Sequence, residues 1–169
     1  MLPDPLHPAV VHFPIALAVL TPFFALLAFA AIQTRRAPAR SAWMVVVLAQ
    51  LLLAGSAWLA LETGEDQEET VEKVVAERHI HTHEQAAERF LAIAAAAAAV
   101  SATGLLAGRA GAIGRAATLV AGVFVIAAGI WVGHTGGSLV YEHGAAAAYV
   151  EKPPKPIESS SRIPPRDAE

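Results

Sequence analysis

The sequence of 169 residues contains no cysteine. This absence excludes disulfide bonds, thiolate-ligated metal sites, iron–sulfur clusters and covalently attached c-type haem. Charged residues are also scarce, at 16% of the chain, and the net charge of −3 comes without a cluster of Arg or Lys interleaved with aromatic residues. This balance argues against nucleic acid as a partner. Residues 1–34 contain no Lys or Arg, so we expect the amino terminus to lead into a membrane span rather than to form a signal peptide.

Motifs of the common enzyme classes are absent as well. The sequence has no G-x-S-x-G nucleophile elbow, no H-E-x-x-H zinc motif and no phosphate-binding Walker motif. His83 and Glu84 form an H-E pair, but Ala87 stands where a metalloprotease requires the second histidine. We therefore do not expect enzyme activity from this chain on its own.

Hydrophobic residues make up 55% of the chain and are concentrated in four long runs. Since the bilayer core is about 30 Å thick and a helix rises about 1.5 Å per residue, such runs predict membrane-spanning helices. We place the spans at residues 12–32, 42–61, 89–107 and 116–132. The predicted fold class is all-α, an integral membrane four-helix bundle formed by residues 1–150 and embedded in the lipid bilayer. Residues 151–169 contain five prolines and are predicted to form a disordered tail.

The connections between the spans differ in charge. The first and third connections together carry five arginines and no acidic residue, whereas residues 62–88 carry nine acidic residues. The positive-inside rule then places the arginines in the cytoplasm of a bacterium, with both termini and the acidic segment on the periplasmic side of the inner membrane. Val71, Val74 and Val75 have helical spacing, which predicts an extra amphipathic helix in the outer loop between spans 2 and 3.

All seven histidines fall on this predicted outer side, and they are His7, His12, His79, His81, His83, His134 and His143. Ionisable groups at a bilayer are costly and usually mark a site. Four-helix bundles are also recurrent hosts for metals and haem. The alternative for each solitary histidine is a structural role, in which it caps a helix or makes a hydrogen bond.

Two local patterns bear on how the histidines are aimed. His79 and His83 are four residues apart, so on a helix they share a face and can chelate a metal. Gly133, Gly136 and Gly137 follow the fourth span and are expected to bend the chain, so that the histidines on both sides of them face inward. The alternative for the glycines is close helix packing alone.

Three stretches resemble a known family. They are LHPAVVHFPIAL from Leu6, TGEDQEE leading to His83-Glu84, and GHTGGSLVYEHG from Gly133. Together they are similar to the bacterial membrane proteins grouped as domain of unknown function 2231, and the similarity covers about residues 5–150. The resemblance implies a four-span inner-membrane protein without an assigned activity, whose signature histidines are His7, His12, His83, His134 and His143. Members that occur beside or fused to cytochrome modules imply redox chemistry, with a cytochrome or respiratory-chain component as partner.

The first functional hypothesis is a b-type haem that serves electron transfer. Neutral imidazole is a common ligand of haem iron, and we predict that His12 pairs with His134 while His83 pairs with His143. The second hypothesis is a zinc or copper site at the periplasmic face, with His7, His83, Glu84 and His143 as mixed nitrogen and oxygen ligands. The third is a non-catalytic assembly subunit of a membrane complex, in which the histidines only make hydrogen bonds.

Overall fold

The computed structural model describes residues 5–150, and all of its regular elements are helical. In chain order these are α1 (His7–Val10), α2 (His12–Gln33), α3 (Ala39–Glu65), α4 (Glu68–Val71), α5 (Glu77–Thr103) and α6 (Gly108–Tyr141), followed by a 3₁₀ helix at Ala145–Tyr149. The predicted tail at residues 151–169 lies outside the described residues.

Four helical segments are long and apolar enough to cross a membrane, namely His7–Gln33, Ala39–Glu65, Glu77–Thr103 and Gly108–Tyr141. The all-α bundle prediction is therefore confirmed. The helices extend beyond the predicted spans, most of all α5, which begins at Glu77, and α6, which continues to Tyr141. Hydropathy detects only the apolar part of a helix, while backbone hydrogen bonding continues into its polar ends. The loop between α3 and α5 contains only the short helix α4.

The four long helices form an up-and-down bundle in which α2 and α5 each pack against both α3 and α6. The connections α2–α3 and α5–α6 lie at the arginine end of the bundle. The start of α1, the end of α3, the start of α5 and the end of α6 meet at the opposite end, which we call the histidine end.

Two apolar clusters fill the bundle. The histidine-side cluster consists of Ala18, Leu53, Ala57, Phe90, Ala94, Ala97 and Val125. The arginine-side cluster consists of Ala25, Ala28, Trp43, Val46 and Val47. Alanines dominate the buried surfaces because small side chains let membrane helices approach closely. Large side chains such as Phe13, Leu27 and Ile130 are instead more than 60% exposed, which suits the lipid-facing surface of a spanning bundle.

Trp43 anchors the arginine end. Its side chain is fully buried and its Nε1 donates a hydrogen bond of 2.9 Å to the carbonyl of Ser101 on α5. Gly104 lies against the indole, where any side chain would collide with it. The guanidinium of Arg115 donates to the carbonyl of the same glycine at 2.6 Å, which ties the start of α6 to the end of α5.

Candidate functional site

His7 and His83 meet at the histidine end. Their ring centroids lie 6.3 Å apart and the ring planes are inclined by 79°. Both side chains are half-buried. His7 is carried by α1 and His83 by the second turn of α5, so this contact joins the first and third spans.

The ring of His7 is oriented by the last turns of α3. Its Nδ1 lies 2.8 Å from the carbonyl oxygen of Ala60. A carbonyl oxygen can only accept, so Nδ1 carries the proton and donates it. The hydroxyl of Thr63 lies 3.5 Å from the same nitrogen, and a Cβ added at Gly64 would lie 3.2 Å from Nδ1 and Cε1. Because Nδ1 carries the proton, Nε2 of the neutral ring keeps its lone pair.

The ring of His83 is oriented in the same way by α6. Its Nδ1 lies 3.0 Å from Oγ1 of Thr135, and that hydroxyl already donates its proton to the carbonyl of Val132 at 3.0 Å. Thr135 therefore accepts, and His83 donates from Nδ1. A Cβ added at Gly136 would lie 3.0 Å from Cε1 of His83. The neutral ring of His83 also carries its lone pair on Nε2.

Each imidazole thus rests on a Thr-Gly pair of the neighbouring helix, Thr63-Gly64 under His7 and Thr135-Gly136 under His83. The threonine lies at Nδ1, and the glycine leaves room for the ring to pack against the helix backbone. A hydrogen bond from the far ring nitrogen to a carbonyl or another oxygen is the arrangement found around metal-binding histidines, because it sets the tautomer and the direction of the ligating nitrogen.

Neither Nε2 atom is committed to another group. Among residues 5–150, His7 bonds through Nδ1 to Ala60 and Thr63, and His83 bonds through Nδ1 to Thr135. His83 also bonds to the backbone of Val132, whose carbonyl can only accept, so in the neutral ring Nδ1–H serves this bond as well. The buried and unpartnered polar atoms of this range belong to Thr21 and Gln50, so the two Nε2 atoms are not sealed from solvent. The pair can accept a proton, a hydrogen bond or a metal ion.

A second histidine contact lies at the edge of the same end. His79 stacks on His143 with centroids 3.7 Å apart and planes inclined by 23°, and Arg78 donates from Nε to Nε2 of His79 at 3.1 Å. The structure thus brings His143 to His79, whereas His83 contacts His7. Beside the stack, Val75, Leu139 and Ala145 form a small apolar cluster.

The predicted bend after the fourth span is wrong. Helix α6 continues through Gly133, Gly136 and Gly137 to Tyr141. The left-handed turn comes later, at Gly144, where φ is 73°. Among the three helical glycines, Gly136 provides the close approach to His83, while added Cβ atoms at Gly133 and Gly137 would meet nothing within 4 Å.

His12 and His134 are both exposed. No ring contact joins them in the described part of the chain, and the nearest aromatic ring to His134 is that of Trp131, at 6.4 Å. His12 borders an open groove of about 500 Å³ between α2 and α3, together with Phe13, Ala16, Leu17, Leu52 and Ser56. The structure therefore brings His12 and His134 into no ring contact with each other.

Glu84 is predicted to share a metal site with His83, but its carboxylate instead contacts His81. Its Oε2 lies 2.9 Å from Nδ1 of His81 in an exposed ion pair. Across residues 5–150, no group of three or more His, Asp or Glu side chains is arranged to hold a metal ion.

The acidic loop lies close to the start of α5. Partial burial of Glu68, followed by repulsion from Glu84 and Glu72 and weaker effects of other acids, raises the pKa of its carboxyl group.

Sequence reasoning missed the residues that orient the imidazoles. Thr63 and Gly64 stand in the TGEDQEE segment, and Thr135 and Gly136 follow His134 directly, so the repeated Thr-Gly dipeptide was available as a signal. The dipeptide can be recognised as a support for an imidazole only when α3 is known to face His7 and α6 to face His83.

Comparison with known proteins gives one match. The model of a family described as "Predicted membrane protein (DUF2231)" matches residues 3–148, which confirms the resemblance drawn from the three histidine-containing stretches. No curated protein and no solved structure matches the chain.

Proposed function

The chain belongs to this DUF2231 family of predicted membrane proteins, and from that premise we propose that it binds a copper ion at its histidine end through Nε2 of His7 and of His83. The observation that carries the proposal is the pair of Nε2 atoms without partners, on rings whose Nδ1 atoms are both anchored. Such anchoring pre-organises a ligand, because the ring does not have to reorient when the metal arrives.

Copper fits this ligand set better than zinc. Structural zinc sites use four protein ligands and catalytic sites use three, while the described residues offer no such group. Cuprous copper is stable with two nitrogen ligands, and imidazole is one of its usual partners. Carboxylates of the acidic loop and of the first turns of α5, among them Glu68 and Glu84, raise the local cation concentration near the pair.

The proposed orientation places this site outside the cytoplasm. Five arginines lie in the two connections at the other end of the bundle, and arginine-rich connections stay in the cytoplasm. The protein would then capture or hand on copper at the periplasmic face of the inner membrane.

The test is metal analysis of the purified full-length protein after loading with copper under reducing conditions. We expect one copper per chain, and X-ray absorption should report nitrogen ligands only. His7→Ala and His83→Ala should each lose the copper, whereas His12→Ala and His134→Ala should keep it. Undiminished copper in the His7→Ala/His83→Ala double variant, or stoichiometric zinc in place of copper, would overturn the proposal.

A second candidate function is haem b binding for electron transfer, with His12 as the axial ligand. The groove of about 500 Å³ beside His12 favours it, because its walls are almost entirely apolar and a macrocycle has two apolar faces. A cytochrome or another respiratory-chain component is the partner that such a carrier would require. Purified protein should then show a Soret band that His12→Ala abolishes and His83→Ala leaves intact; a colourless preparation from haem-supplemented cells excludes this candidate.

A further inference from the structure

Two polar side chains are buried without partners at the centre of the bundle. Thr21 and Gln50 are no more than 1% exposed, and within residues 5–150 Oγ1 of Thr21 and Oε1 of Gln50 have no hydrogen-bond partner. The other buried hydroxyls behave differently, because Thr63, Ser101 and Thr118 each donate to a carbonyl of the preceding turn.

Pro22 frees a third polar atom in the same part of α2. Proline has no N–H, so the carbonyl of Ala18, one turn earlier in α2, loses the donor that an ordinary residue would supply. Helix α2 continues through Pro22 nevertheless. Membrane helices keep such prolines when a neighbouring side chain or an ordered water takes over the freed carbonyl.

Thr21 and Gln50 occupy the same layer of the bundle. In α2, Thr21 lies one turn from Ala18 of the histidine-side cluster and one turn from Ala25 of the arginine-side cluster. In α3, Gln50 lies one turn from Val47 of the arginine-side cluster and one turn from Leu53 of the histidine-side cluster. Because α2 and α3 pack side by side in opposite directions, Thr21 and Gln50 stand at the same depth, near the middle of both helices.

We propose that this layer is a binding site for one water molecule, held by Thr21, Gln50 and the carbonyl of Ala18. A water has two protons for the two carbonyl-type oxygens and can accept the hydroxyl proton of Thr21, so three partners complete its hydrogen bonds. The ligand is neutral, because a hard cation requires about six oxygens and the layer supplies three.

Helix α6 closes the site from the other side. A Cβ added at Gly122 would lie 3.2 Å from Cγ of Pro22, so the backbone of α6 packs directly on the proline ring. The bound water would lie near the middle of the spanning helices, in a bundle whose interior is otherwise apolar. It is independent of the copper proposal, since it shares no residue with His7 or His83.

The test is water-edited solid-state NMR of the full chain in lipid bilayers. The side-chain amide of Gln50 should receive polarisation from water about tenfold faster than the indole N–H of Trp43, which is buried and bonded to Ser101. Thr21→Val should remove this transfer, whereas Thr21→Ser should preserve it.

Two results would overturn the proposal. One is a Gln50 amide as isolated from water as Trp43 in the unmodified protein. The other is an undiminished transfer in Thr21→Val, since the water would then not be held by this hydroxyl.

Discussion

Gly136 of α6 lies so close to the imidazole of His83 that a methyl group at this position would stand 3.0 Å from Cε1. The ring is also fixed on its Nδ1 side by the preceding residue, Thr135. A displacement caused by a larger residue would therefore move Nε2, the atom that we propose as a copper ligand.

Gly136→Ala should weaken copper binding, because the added methyl displaces the ring of His83 and with it Nε2. The matched control is Gly137→Ala, where the new methyl meets nothing within 4 Å. We expect about a tenfold loss of copper affinity in the first variant, as for a disturbed outer shell, and none in the second. Affinity is measured by competition with a calibrated cuprous chelator; equal affinities in the two variants would contradict the role given to His83.

The hydroxyl of Thr135 should matter for metal binding although it does not touch the metal. Thr135→Val removes the hydroxyl that accepts from Nδ1–H of His83 and loosens the orientation of the ring, so we expect copper affinity to fall about 10- to 100-fold. Thr135→Ser should restore it. Thr82→Val serves as the control, because the exposed Thr82 donates only to Arg78 within its own helix. A Thr135→Val protein with unchanged affinity would show that the ring needs no such anchor.

The four spans and the gathering of histidines at one end could be predicted from the sequence, because hydropathy and loop charge depend on residues close together in the chain. Which imidazoles meet could not. The contact between His7 and His83 depends on how far α5 extends beyond its apolar run and on the rotation of each helix about its axis. The same holds for His143, which reaches His79 only because α6 stays helical through its glycines.

Trp43 should stabilise the bundle far more than Trp58. The indole of Trp43 is fully buried and bonded to the carbonyl of Ser101, while Trp58 is 54% exposed. Trp43→Phe removes one of two hydrogen bonds to the carbonyl of Ser101, which keeps the bond from the backbone N–H of Gly104, and the loss costs about 0.5–1.5 kcal/mol. Thermal unfolding in detergent should show a lower Tm for Trp43→Phe and a Tm within error of the parent for Trp58→Phe. Equal shifts in both variants would mean that Trp43 does not hold α3 against α5.

Copper occupancy should depend on pH in the manner of imidazole ligands. A histidine nitrogen binds metal only when it is unprotonated. Occupancy should therefore be full at neutral pH and fall under acidic conditions, as protons compete with copper for the two Nε2 atoms. Equilibrium dialysis between pH 4 and 8 measures this, with His12→Ala as a control of unchanged profile. Copper that stays bound to the His7→Ala/His83→Ala variant and is released with the same pH profile would instead assign the metal to the carboxylates around the acidic loop.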